Sequence, residues 1–147
     1  MPTYVCTTAT NRLTANQKQA IVKVLAIAHS EETNVPPYIV QVIFNEMLPG
    51  QHFINGHPVP PDQIWIRGDI RAGRTDSQKT TMVNRMAKMV SEVTAIDPSF
   101  FWIYLCDITK MIEFGSVMPE PGGEAAWIAA IPQEVRARYR FGDTNRL

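Results

Sequence analysis

Few residues in this 147-residue chain resist explanation by packing alone. The first stands at its beginning, where Met1 is followed by Pro2. A small second residue allows the initiator methionine to be removed, which would leave Pro2 as a free secondary amine. An α-amine titrates at about 7.7–8 in the reference state, so burial or a neighbouring charge can make it an acid or a base near neutral pH. Many chains begin Met-Pro without using it, so the rest of the sequence must supply a pocket. Arg71 and Arg74 lie immediately before Thr75, which reads as a helix cap. Two cations at the positive end of a helix do not stabilise it, but they suit an anion held between them and the helix end. A planar guanidinium matches a carboxylate. The competing account is a pair of solvated arginines, or partners for Asp69 and Asp76. Glu113 stands among Met111, Ile112, Phe114 and Gly115, where a carboxylate is a candidate for a perturbed pKa, or else points outward from an edge strand. Tyr104 falls inside an apolar run, where a structural tyrosine is common. His29 closes the first helical stretch, where a cation on the helix dipole is the simplest explanation. His52 and His57 lie in a proline-rich loop with no carboxylate or cysteine at ligand spacing, so no metal is expected.

These residues must be positioned by regular elements, and the chain supplies them twice. Residues 2–8 read as a short strand. Thr14 and Gln17 form a capping box, and Ile21, Val24, Leu25 and Ala28 follow at helical spacing, predicting an amphipathic helix over 15–31. Pro36-Pro37 ends it, and Tyr38 to Glu46 is β-branched and aromatic, as a buried strand requires. Residues 48–62 read as an irregular loop or short hairpin, and Gln63 to Ile70 as a strand. The pattern then returns at an offset of 61 residues, Thr14 to Thr75. Gln17 falls on Gln78, Pro37 on Pro98, and the second strand on Phe100 to Asp107; Met82, Met86, Met89, Val90 and Val93 form the second apolar stripe. This is a duplicated β-α-β unit, about 2–47 and 63–107, followed by a tail over 108–147 with a short strand, a turn at 119–123 and two short helices. Each crossover helix implies parallel pairing within its unit. The fold class is therefore α+β: one four-stranded sheet with both helices on one face, in a single domain. Strands this apolar should not leave the other sheet face in water, so that face is expected to meet another subunit.

With 45% hydrophobic and 19% charged residues, the chain can build a core. Its 14 basic and 14 acidic residues cancel, which gives no reason to expect nucleic acid or an anionic membrane as a partner. No apolar run approaches the roughly 20 residues of a membrane span. Cys6 and Cys106 make no disulfide framework, and reduced thiols in an intracellular, cytoplasmic protein are the simplest account.

In combination, the segments PTYVC at the start, RLT before the first helix, AHSE around His29, YIVQVIFNE, RAGRT, WIY at Trp102–Tyr104 and MIEFG around Glu113 resemble the tautomerase superfamily, and within it the cis-3-chloroacrylic acid dehalogenase branch. The resemblance runs over most of the chain. It implies a homotrimer of the tautomerase (MIF-like) fold with no cofactor. It implies a site in which Pro2, Glu113, Tyr104 and His29 are catalytic and Arg71, Arg74 and His29 hold the carboxylate of a small unsaturated or keto acid. Hydration or dehalogenation across a C2–C3 bond is the activity it favours, with keto-enol tautomerisation or a non-catalytic trimeric binding protein as alternatives. One departure stands out: the family's E-Y-G-R run reads Glu113-Phe114-Gly115-Ser116, which loses a hydroxyl and a cation.

Overall fold

The computed structural model describes residues 1–141. β1 (Thr3–Ala9) pairs parallel with β2 (Gln41–Met47) across α1 (Ala15–Thr33), and β5 (Ile64–Arg71) pairs parallel with β6 (Phe101–Ile108) across α2 (Asp76–Thr94). The two units join through an antiparallel β1–β5 pairing, giving the order β2-β1-β5-β6. Two small hairpins stand outside the sheet: β3 (Phe53–Ile54) with β4 (His57–Pro58), and β7 (Ile112–Glu113) with β8 (Ser116–Val117). Two short helices, α3 (Glu124–Ala130) and α4 (Gln133–Arg138), end the described chain. The expected start of β2 at Tyr38 is corrected, because Pro37–Ile39 forms a 3₁₀ turn and the strand begins at Gln41. Pro98–Phe100 does the same before β6, since proline at the first turn has its φ preset and lacks only a donor the turn does not use.

The duplication is visible in individual bonds. Thr14 Oγ1 accepts from the Gln17 amide at 3.1 Å while the Thr14 amide donates to Gln17 Oε1 at 3.0 Å; Thr75 and Gln78 repeat both bonds at the same lengths. Each capping glutamine then crosses to the far end of the other helix. Gln17 Nε2 donates to Thr94 O at 3.1 Å, and Gln78 Nε2 donates to Glu32 O at 3.0 Å. The antiparallel helices therefore satisfy each other's terminal carbonyls, which are left without intrahelical partners. Lys18 pairs with Glu46 at 2.8 Å, and Lys79 with Asp107 at 3.1 Å, again 61 residues on.

Both helices cover one sheet face. Tyr4 and Cys6 of β1, Ile64, Ile66 and Ile70 of β5, Ile21 and Leu25 of α1, and Met82, Met86 and Val90 of α2 are fully buried together. The methionine stripe is thus core, as its helical spacing predicts. On the other face Ile43, Trp102 and Tyr104 stand 41%, 43% and 47% exposed. A second apolar cluster of Val35, Ile39, Met118, Trp127, Ile128 and Ile131 seats α3 and the β7–β8 hairpin beside the start of the chain. No helix among the described residues is long and apolar enough to cross a membrane.

Candidate active site

The start of β1, the end of α1, the end of β5 and the tail converge at one end of the sheet. Pro2 is buried and its carbonyl accepts from the Gln41 amide at 2.9 Å, which docks the chain start against β2. Met1 precedes it, so Pro2 nitrogen is here part of an amide and the free amine belongs to Met1. That amine is ion-paired with Glu113 Oε2 and lies 3.9 Å from Met111 Sδ. Glu113 is delivered by the β7–β8 hairpin, whose two-residue turn Phe114-Gly115 has φ of 52° and 81°. Positive φ at both positions matches the right-handed twist of a tight hairpin. Phe114 takes this conformation without glycine's freedom, its ring packed edge-on to Tyr139 and tilted against Trp127. Met1 and Glu113 open onto a pocket of about 640 Å³ walled by Gln41, Phe114, Val135, Arg138 and Tyr139. Burial lowers the amine's pKa from its usual value; Glu113 opposes that shift, Arg71 adds to it, and Glu124 opposes it more weakly.

Arg71 closes β5 and Arg74 precedes the cap of α2, each only about a tenth exposed. They do not pair with Asp69 or Asp76, which instead take Arg67 at 3.0 Å and Lys79 at 3.4 Å. Arg71 donates to Thr109 O at 3.1 Å and meets Glu120 at 3.1 Å. Arg74 meets Glu124 at 3.5 Å, and the other Glu124 oxygen accepts from the Gly122 amide at 2.7 Å. The tail thus lays one carboxylate on each arginine. Even so, the Nε of Arg71 and of Arg74 are both buried without a hydrogen-bond partner. A buried donor in that state costs free energy until an acceptor reaches it. Arg74 and Glu124 also line a cavity of about 560 Å³ with Thr33, Asn34, Pro36 and Tyr38.

His29 is buried at 2% exposure rather than capping the helix in solvent. Its Nδ1 lies 2.7 Å from the hydroxyl of Tyr4, which is fully buried, and the two rings meet edge to face at 5.9 Å. Burial pushes the imidazole pKa down to about 4, and Arg74 and the chain's amine add to the shift. His29 is therefore a neutral imidazole at pH 7.

The structure accordingly gathers Pro2, His29, Arg71, Arg74 and Glu113 around the buried chain start. Tyr104 is not with them: it lies on the exposed sheet face, its ring against Trp65 at 5.9 Å. Sequence reading did not single out Tyr4, Glu120, Glu124 or Arg138. Tyr4 could have been found from strand alternation, since Tyr4, Cys6 and Thr8 share the buried face of β1. The glutamates and Arg138 come from the tail, which has no counterpart in the repeat. Among the described residues no three His, Cys, Asp or Glu side chains cluster as a metal would need.

The family model Tautomerase_3, described as "Putative oxalocrotonate tautomerase enzyme", matches residues 1–128. The chain belongs to the tautomerase superfamily. Among solved structures, this superfamily member is similar to N1, a member of the cis-3-chloroacrylic acid dehalogenase family, at 32% identity and a TM-score of 0.85 over 94% of this chain and 98% of that one. The native protein Ps01740 matches at 29% identity and a TM-score of 0.68, covering 73% of this chain and 94% of the other. A fused 4-OT solved as an asymmetric trimer shares the fold at 19% identity and a TM-score of 0.67, over 73% and 86% of the two chains. No curated protein gives a significant match.

Proposed function

We propose that this tautomerase-superfamily protein is an enzyme acting on a small unsaturated or keto carboxylic acid, with an amino-terminal proline as its proton-transfer group. The observation that carries the reading is the placement of the chain's amine against Glu113, close enough to Arg71 for that cation to depress its pKa. Removal of Met1 would move the amine to Pro2. Arg71, Arg74 and His29 then bind the substrate carboxylate, the buried, unpaired Nε atoms of the two arginines providing donors. A carboxylate held this way draws electron density from the C2–C3 bond. Glu113 takes a proton from water as its oxygen bonds to C3, and protonated Pro2 gives a proton to C2. For a 3-haloacrylate, the adduct carries hydroxyl and halide on one carbon; loss of the halide and of the hydroxyl proton yields malonate semialdehyde.

Tyr104 enters this scheme only in an assembly. Its place on the exposed sheet face supports a homotrimer in which one protomer's sheet covers the next and a neighbour's Tyr104 reaches the pocket. Keto-enol tautomerisation is the second reading, favoured by a specific observation: burial lowers the pKa of the Met1 amine despite Glu113, and the neighbouring Pro2 is itself buried. A neutral amine is a base, as tautomerisation needs, whereas hydration needs the protonated form. A non-catalytic binding protein of the same fold is the third.

The test uses two proteins, one with a free Pro2 and one with Met1 retained, both verified by intact mass. Each is assayed on a 3-haloacrylate, an acetylenic acid and phenylenolpyruvate. Activity confined to the free-Pro2 form supports the reading. Equal rates in both forms exclude Pro2 as the catalyst of that reaction, and no turnover of any of the three by the free-Pro2 form places the binding protein ahead.

A further inference from the structure

Every group proposed to meet the carboxylate is cationic except His29, and the atom that sets its hydrogen-bonding role lies on β1. Tyr4 is fully buried, and its hydroxyl has one partner among the described residues, His29 Nδ1 at 2.7 Å. Two arrangements fit that distance. If Nδ1–H donated to the tyrosine oxygen, the phenol proton would need a further acceptor inside the core, and none is present among the described residues. A buried donor without an acceptor is costly. If the phenol donates to Nδ1, that bond satisfies the phenol and Nδ1, and the imidazole proton sits on Nε2, which has no partner among the described residues but is not sealed in the core, so it can donate to a ligand. Burial raises the Tyr4 pKa, which keeps the phenol protonated, and the low pKa of His29 keeps the ring from taking a second proton.

We infer that Tyr4 is a positioning residue: its hydroxyl donates to His29 Nδ1, fixes the neutral ring as the Nε2–H tautomer, and so presents His29 to the substrate carboxylate as an uncharged hydrogen-bond donor. The edge-to-face packing of the two rings holds the orientation, with an interplanar angle of 74°. Gly68 makes room for it. It sits opposite Tyr4 in the β1–β5 register, and a Cβ there would come 2.5 Å from Tyr4 Cε1 and 2.8 Å from Leu105 Cδ2. The role toward the carboxylate rests on the function proposed above; the tautomer does not.

The experiment separates the two. Protein labelled with ¹⁵N-histidine carries three imidazoles, His29, His52 and His57, and the His29 resonances are identified by their loss in His29→Gln. Long-range ¹H–¹⁵N spectra at pH 7 are expected to show His29 with a bare Nδ1 and a protonated Nε2. Tyr4→Phe keeps the ring, and should convert His29 to a mixture of tautomers. In the same variant KM for the substrate, or Kd for malonate as an unreactive carboxylate probe, should rise about tenfold, the loss expected for one well-placed hydrogen bond, with a smaller change in kcat. A protonated Nδ1 in the unaltered protein overturns the inference without any variant having to fold. So does a Tyr4→Phe protein with the tautomer unchanged. If Tyr4→Phe shifts the tautomer but malonate binds neither protein, the positioning role stands and the carboxylate site is the part that fails.

Discussion

At the residue scale, His29 is a histidine that the fold keeps neutral. Its folded pKa of about 4 lies below the ordinary 6.5. Above pH 6.5 the ring is neutral in both folded and unfolded chains and contributes nothing to pH dependence. Between pH 6.5 and 4 the unfolded chain binds a proton that the folded one does not. Stability should therefore fall on acidification across that window, by at most about 1.4 kcal/mol per pH unit from this group. Melting temperature followed against pH should drop through the window in the unaltered protein, and the drop should be shallower in His29→Gln. Identical curves would mean that His29 is solvated. Glu124 invites a second test. It holds Arg74 at 3.5 Å while Arg74 Nε remains unpaired, so the tail carboxylate competes with any incoming one. Glu124→Gln should tighten malonate binding several-fold, as measured by calorimetry, and Arg74→Ala should weaken it by roughly 1.5–3 kcal/mol, the range for hydrogen bonds to charged groups. Tighter binding to Arg74→Ala would remove that arginine from the site.

At the scale of elements, the two halves are alike where they hold the fold and unlike where they hold the site. Asn34 and Ala95 occupy corresponding C-caps, both left-handed at φ 57°, and each amide donates to the serine carbonyl four residues back at 2.8 Å. Asparagine tolerates that conformation; alanine is strained in it. Ala95→Gly should raise stability by roughly 0.5–1 kcal/mol in urea unfolding, because glycine adopts φ > 0 without steric cost. No gain would place the strain elsewhere. Gly68→Ala should act in the opposite sense, costing about 1–3 kcal/mol as the new methyl drives into Tyr4 and Leu105. The site residues break the repeat. His29 faces Val90 across the 61-residue offset, Arg71 faces Thr10 and Arg74 faces Leu13. One half supplies the imidazole, the other the guanidiniums, and the sheet's central β1–β5 pairing brings them to the same end.

At the scale of the whole molecule, the sheet has one covered face and one exposed. Ile43, Trp102 and Tyr104 present large apolar surface between the polar side chains of Gln41, Asn45 and Arg67. An apolar sheet face of this kind suits the proposed contact between protomers. Light scattering should give three chains per particle if the proposed trimer forms, and Trp102→Lys should shift the particle towards monomer while leaving the helix-covered core intact. Loss of activity in that variant, with the melting transition retained, would tie the site to the assembly. A stable monomer at micromolar concentration in the unaltered protein would remove the shared pocket.

The repeat, its capping boxes, the parallel pairing within each half and the sheet with helices on one face were all legible from residue types and spacing. Each follows from local chemistry: a threonine cap answered by a glutamine, apolar residues at helical period, proline at a first turn. Pro2, the arginines and Glu113 were legible as candidates from residue type and spacing, whereas His29 and Tyr104 joined them only through the resemblance to the tautomerase superfamily. What sequence could not decide depends on which side chains meet across long separations. The tail's glutamates lie on the arginines because α3 docks through Trp127 and Ile128, and nothing local to Arg74 announces Glu124, 50 positions on. His29 reads as a helix-end cation until Tyr4, 25 residues earlier, is seen to bury and bond it. Tyr104 is at home in an apolar strand, and only the sheet's orientation puts it on the exposed face rather than in the pocket of its own chain. Local propensity fixes the elements; burial and charge at the site arise only once those elements pack.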